Sequence, residues 1–316
     1  MADATLRALI THYASDQVAS LDDLINASGI LRTGMSFGSS TGKFHKYTKT
    51  SALPTASVRS IGGSYTDQTV DGEVHQLDLK MIGIVQSEDT AICDEIGVSN
   101  YFKQNRPAIM EALGQKMAAG IFYGINSSYG DPAGFIGLND IAGANGSDFY
   151  TAAGGSTNTT EIYVVKFKKN VNGIVFNSKT IGAGDLVKTT RMNNGGAVLE
   201  YTGSGTKKPV YQILYETDIA YLAASKYSVH VIYGVDAVTT PPTAIEMNNA
   251  IDSVKADENT FIYTSRLGRR ALWTLKDTNM HAAGNNMDTR IETWNGIRVI
   301  LDENINETNT ASNLPY

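Results

Sequence analysis

The chain has 316 residues, 42% hydrophobic and 18% charged, which is enough apolar material for a packed core and too little charge for a disordered chain. A single cysteine excludes an intramolecular disulfide and a cysteine-based zinc site, and the 5 histidines are scattered. No run of about 18 apolar residues is present to span a bilayer as a helix, and the first residues lack the basic-then-apolar layout of a secretory signal. Residues 1–160 carry 10 Lys+Arg against 16 Asp+Glu, and residues 161–316 carry 16 against 16, for a net charge of −6. Neither half has the cationic excess of a nucleic-acid-binding module.

Taken in chain order, Leu6, Leu9, Ile10, Tyr13, Val18, Leu21, Leu24 and Ile25 recur at three- and four-residue spacings and predict an amphipathic helix over 3–26. A terminal helix has only one flank to hold it, so it reads either as a surface helix or as an arm lying on a neighbouring subunit. Residues 34–42 are glycine- and serine-rich. Their spacing fails the phosphate-loop pattern, with Phe44 where Ser or Thr would bind magnesium, and a flexible hinge is expected there. Residues 43–49 and 73–81 alternate with a period of two and predict two strands. With the Leu53-Pro54, Gly62-Gly63 and Asp71-Gly72 turns between them they make a long ribbon. A two-stranded ribbon is marginal alone in water, so this one is expected to rest on another copy of the chain.

From Ser87 the pattern turns helical. Val98, Phe102, Ile109, Leu113, Met117 and Ile121 form the stripe of a helix of some 25 residues ending at Tyr123-Gly124, with Pro107 in a first turn or at a kink. The stretch DPAGFIGLNDI reads as a loop. Residues 161–234 hold β-branched and aromatic runs separated by Gly, Asn or Lys-Pro, predicting strands. Helices follow at 244–255 and 267–275, with strands at 260–264 and 296–300.

Chemistry-bearing patterns are missing. There is no G-x-S-x-G and no H-E-x-x-H, Gly203-Ser204-Gly205 reads as a hairpin turn, and Gly182-Ala183-Gly184 lacks the third glycine of a dinucleotide loop. Cys93 has no nearby histidine and reads as a buried, inert thiol. His45 and His75 are thirty residues apart and suit packing better than ligation. No catalytic, cofactor or metal residue is assigned, and no enzyme activity is expected.

The order of these segments resembles the major capsid proteins of tailed bacteriophages with the Hong Kong 97-type fold. The resemblance rests on an N-terminal arm, a long two-stranded loop, a long helix ending Phe122-Tyr123-Gly124, and a β-rich body closing on Trp294-Asn295-Gly296-Ile297-Arg298-Val299. Leu53-Pro54-Thr55-Ala56 with Arg59, the arm's Ile30-Leu31 and Asp94 near the long helix are similar to the short-tailed-phage branch. The resemblance covers nearly the whole chain, each motif is short, and their order carries it. One departure is that candidates for a long peripheral strand, Tyr211–Tyr215 and Tyr227–Val235, precede the closing module rather than follow it.

The resemblance implies an α+β fold with an arm (1–40), an extended loop (41–82), a peripheral domain with the spine helix (83–144 and 198–257) and an axial domain (145–197 and 258–316). It implies a coat protein that assembles into pentamers and hexamers of an icosahedral head around double-stranded DNA, touched non-specifically. The alternatives are an encapsulin-like nanocompartment shell or a β-rich hydrolase or binding protein. Implied partners are other copies of the chain, a portal, a separate scaffolding protein and a decoration or cement protein. No cofactor or membrane is implied, and the place is the virion capsid, assembled in the host cytoplasm. Intersubunit contact candidates are Lys43, His45, Lys46, Lys49, Leu53, Pro54 and Arg59 on the ribbon and Leu6, Leu9 and Ile10 on the arm. The arm starts almost at Met1, so no long N-terminal scaffolding segment is expected. Some members of the family join a ribbon lysine to an asparagine, and nothing specific marks such a pair here.

Overall fold

A computed structural model describes residues 24–50, 55–65, 72–179, 186–201, 207–275, 280–282 and 291–309. The predicted arm helix lies outside these except for its last turn, where Leu24 and Ile25 are buried. Helix α1 (Gly29–Thr33) follows, with Ser28 as its cap. The segment expected to be a hinge is instead tied into a sheet. Strand β1 (Ser36–Gly38) pairs in parallel with β7 (Asn172–Phe176), because Met35 and Phe37 are apolar enough to be buried amid the small residues.

The ribbon is β2 (Phe44–Thr50) against β3 (Gly72–Asp78), in register from Phe44↔Asp78 to Thr50↔Gly72. Strand β4 (Lys80–Asp89) continues from it into the body and pairs antiparallel with β10 (Lys207–Ala223), a 17-residue strand. Ser87–Asp89, expected to be helical, are therefore strand residues. Asp89 then caps α2 (Thr90–Ile96), accepting a 2.9 Å bond from the Ala91 amide. Gly97, at φ 89°, separates α2 from the 26-residue spine helix α3 (Val98–Tyr123). Pro107 is the tenth residue of α3, inside the helix rather than in its first turn.

Strands β8 (Lys188–Arg191) and β9 (Val198–Tyr201) complete a six-stranded sheet, each pairing with β10. The Tyr201↔Lys207 pair flanks the predicted Gly203-Ser204-Gly205 turn, which itself lies outside the described residues. A seven-stranded sheet has β13 (Met280–Ala282), β14 (Ile291–Trp294), β15 (Ile297–Leu301), β12 (Thr260–Thr264), β6 (Thr160–Lys166), β11 (Val229–Val235) and β5 (Tyr150–Ala152) side by side in that order. Between β14 and β15, Asn295 and Gly296 have φ of 47° and 82°, the two positive values a two-residue hairpin of this hand requires.

Alternation along the strands places three apolar clusters. One face of β6, with Tyr163 and Val165, packs with Ile213, Tyr215 and Ile219 of β10 and the α3 stripe Phe102, Met110, Leu113, Met117 and Ile121. The spine helix thus joins both sheets. The other face of β6, Ile162 and Val164, packs on Met247 and Ala250 of α5 (Ala244–Ser253) and on Ala271 and Leu272 of α6 (Arg266–Thr274), beside Trp294. A third, smaller cluster gathers Phe37, Leu79, Val175, Ala220 and Leu222, with Tyr47 and Leu77 of the ribbon against it. The ribbon root therefore has a core within its own chain.

The loop expected at 131–141 is partly helical: α4 (Leu138–Asn145) begins at Gly137, whose amide donates 3.1 Å to Asp140 Oδ2. Asp140 also accepts from the amides of Ile125 (2.8 Å) and Asn126 (3.1 Å), so one carboxylate holds the end of α3 and the start of α4 together. The sheets also divide the chain differently from boundaries at 144, 197 and 257. Strands β7 and β8 lie in the six-stranded sheet with β10, while β11 belongs to the seven-stranded sheet with α5 against it, and the cut at 82 falls inside β4.

Candidate assembly surfaces

The ribbon presents two chemically different faces. Cross-strand partners share a face, so His45, Tyr47 and Lys49 lie with Leu77, His75 and Glu73, and Phe44, Lys46 and Thr48 lie with Asp78, Gln76 and Val74. The first set turns toward the body at its root. His45 is 7% exposed, its ring 5.5 Å from Phe37, and burial lowers its pKa. Tyr47 stacks on His75 at 5.5 Å. The second set is exposed, Phe44 and Val74 included. His45, a candidate intersubunit contact, is thus occupied by its own chain.

Of the other candidates, Lys43 is exposed with Nζ 3.4 Å from Met81 Sδ, while Lys46 and Lys49 are exposed. Among the described residues no salt bridge includes any of these three lysines. Lys46 and Lys49 line a cleft of about 1000 Å³ between the ribbon and the turns at 170–171 and 224–227, where Lys226 adds a third cation and no carboxylate lines the wall. Arg59 closes its own turn: its guanidinium donates 3.1 Å to the Gly63 carbonyl and lies 5.3 Å from the Tyr65 ring centroid. Gly63 N donates 3.0 Å to Ser60 O across Gly62, which has φ 85°. This turn carries Val58 and Ile61 at 101% and 105% exposure. Leu53, Pro54, Leu6, Leu9 and Ile10 lie outside the described residues.

Sequence reasoning overlooked a further group of exposed apolar side chains: Met81 and Val85 on β4, Ile92 and Ile96 on α2, and Leu199 and Tyr201 on β9. The period of two in β4 was a usable signal for the first pair. On α2, Cys93 faces the core and is fully buried, where burial raises its thiol pKa. Among the described residues no group of three or more His, Cys, Asp or Glu is placed to hold a metal, and no helix is long and apolar enough to cross a membrane.

Neither a protein family nor a curated protein sequence matches the chain. Solved structures do. A chain of bacteriophage Epsilon15 is 15% identical at a TM-score of 0.57, with 87% of each chain covered. The capsid of bacteriophage JBD30 is 9% identical at a TM-score of 0.51, covering 87% of this chain and 90% of that one. A second JBD30 capsid, decorated with minor capsid protein trimers, gives 9% identity and a TM-score of 0.50. The α+β fold expected from the order of segments is thus the fold of these bacteriophage chains, that of the JBD30 capsid among them.

Proposed function

We propose that this chain is the major coat protein of a phage head. The observation that carries the reading is the pairing of a capsid fold with a projecting ribbon whose tip leaves Val58 and Ile61 wholly in solvent, since such side chains are normally covered in a finished assembly. In this reading the chain has a structural, non-enzymatic role. It forms pentamers and hexamers of an icosahedral shell around double-stranded DNA, within a virion capsid assembled in the host cytoplasm. The ribbon of 41–82 lies over the spine helix of an adjacent copy, with Lys43, Lys46, Lys49 and Arg59 at or near that contact and the arm of 1–40 on a neighbour. The six-stranded sheet and spine helix form the peripheral domain, and the seven-stranded sheet forms the axial one. Portal, separate scaffolding and decoration proteins are its further partners. The Epsilon15 and JBD30 chains with this fold come from bacteriophages, which favours a phage head over a nanocompartment shell.

Expression of the full chain, size-exclusion chromatography and electron microscopy of the void fraction test the reading. Closed shells or capsomers are expected, with shells when scaffolding is supplied. A monodisperse monomer under all conditions, with scaffolding present, overturns it.

A further inference from the structure

The segment after β15 is seated on several elements at once. Asp302 accepts from the Ile30 amide (2.9 Å), Asn306 N donates 2.6 Å to the Tyr123 hydroxyl at the end of α3, and Thr160 Oγ1 donates 2.7 Å to the Asn306 carbonyl. Asn309 exchanges backbone bonds with Thr159, and the Leu267 amide of α6 donates 2.8 Å to Glu307. On the face of β6 turned toward α3, near enough to the Tyr123 hydroxyl to raise its pKa, stands the buried carboxyl of Glu161, hydrogen-bonded to the Tyr163 hydroxyl.

A fully buried carboxylate needs several donors or a cation, and among the described residues the Tyr163 hydroxyl is the side-chain donor that Glu161 has. The titratable groups on this face are Tyr163 on its own strand, Tyr123 on α3, Tyr129 in the loop after it, Asp140 on α4 and Tyr263 on β12, all of them acids. Arg32 and Arg298 act on Tyr263 and not on Glu161. Of the charged groups on the seated segment, Asp302 is bonded to α1, Glu303 pairs with Arg266 and Glu307 caps Leu267. Burial accordingly raises the Glu161 carboxyl to about 7, the Tyr163 bond opposing the rise.

We propose that Glu161 is a protonation latch for residues 302–309: neutral, it leaves the segment seated on Tyr123 and Thr160, and ionised, it favours an open seat in which water reaches the carboxylate. The latch acts within one chain and does not rest on the assembly reading. An opened seat restores an ordinary carboxyl, so opening is least favourable below about pH 4.5 and grows until the seated carboxyl has itself ionised near 7.

Amide hydrogen exchange on the full chain, corrected for intrinsic base catalysis, reads this directly. Protection at Asn306 and Asn309 is expected to fall by roughly tenfold per pH unit between about pH 5 and 7 and then level off, while the β6–β12 ladder amides stay constant. In Glu161→Gln the fall should vanish. Equal protection at both ends of the range, the same fall in Glu161→Gln, or a parallel fall in the ladder overturns the proposal. Should Glu161→Gln not fold, the carboxyl carbon resonance of Glu161 in the unaltered chain decides: a midpoint near 7 supports the latch, and one near 4.5 rules it out.

Discussion

At the scale of single residues, two buried titratable groups act in opposite directions over one pH window. His230 is 2% exposed, and burial lowers its pKa to about 4. Ser253 Oγ donates its proton 2.8 Å to the Ala250 carbonyl and so accepts from His230 Nδ1 at 2.7 Å, leaving Nε2 to accept from Thr151 Oγ1 at 3.0 Å. Burial disfavours the charged ring and outweighs the Asp148 backbone carbonyl that favours it. The unfolded chain therefore binds more protons at His230 as pH falls from 6.5 to 4, and stability is lost in that direction. Glu161 has its carboxyl raised from 4.5 to about 7, so its contribution is full below 4.5 and is lost as pH rises through 7. Each shift is worth about 3 kcal/mol at most, so the two offset each other across the shared window. Thermal melts of Glu161→Gln should match the parent near pH 5 and exceed it near pH 8. His230→Gln should reverse the order, gaining on the parent only as pH falls toward 4. Parallel curves for parent and both variants would mean that each group titrates in the fold as it does in the unfolded chain, and would overturn both shifts.

Among the elements, the spine helix was legible because its stripe is long enough to average over single exceptions. Phe102, Leu113, Met117 and Ile121 are all buried as the 3.6-residue period demands. Pro107 did not end it, since packing on both sheets outweighs one missing backbone bond. Strand β1 was illegible because three residues cannot display a period, and β7 supplies its partner from far along the chain. Helix α4 was illegible because its Asn, Asp and Gly content favours a loop, whereas Asp140 gathers three backbone amides from two sequence-distant ends. Ribbon alternation was plain, but which face it turns inward depends on Phe37 and Leu79 beneath it. The burial of Glu161 left no trace, since nothing local distinguishes a buried carboxylate from a solvated one. Two glycines carry element packing. At Gly124 (φ 66°), an added Cβ would lie 1.8 Å from Asp140 Oδ2, and at Gly114 one would lie 2.6 Å from the Leu24 carbonyl. Gly124→Ala should cost about 2 kcal/mol or more, the left-handed backbone alone accounting for about 1–2. Gly114→Val should push the 24–27 turn off α3, seen as faster exchange or proteolysis there while the β6–β12 ladder stays protected. A Gly124→Ala melt unchanged from the parent would show that Asp140 does not bind the two helix ends tightly.

For the whole molecule, the decisive quantity is apolar surface left at the end of the ribbon. Val58 and Ile61 gain nothing from their own chain, and Arg59 is spent on holding the turn that presents them, through Gly63 and Tyr65. Covering each against a neighbour would contribute about 1.5–3 kcal/mol, and a closed shell repeats that contact once per subunit, so small changes here are multiplied by the copy number. Exposed lysine pairs at the ribbon root would add only about 0–1 kcal/mol apiece. The tip should therefore matter more than Lys43, Lys46 or Lys49. Val58→Asp with Ile61→Asp is expected to leave circular dichroism and the melt of the unassembled chain unchanged, because neither residue touches the body, and to abolish or sharply lower particle yield. Arg59→Ala should lower particle melting temperature less, by loosening the turn, and Arg59→Lys should rescue only in part, since an ammonium lacks the planar fork and stacks less well on Tyr65. Charge reversal of the three lysines should shift assembly mainly at low salt. Full particle yield and unchanged particle stability in the double aspartate variant would show that the tip is not an assembly contact, and would remove the main support for a ribbon that reaches over an adjacent copy.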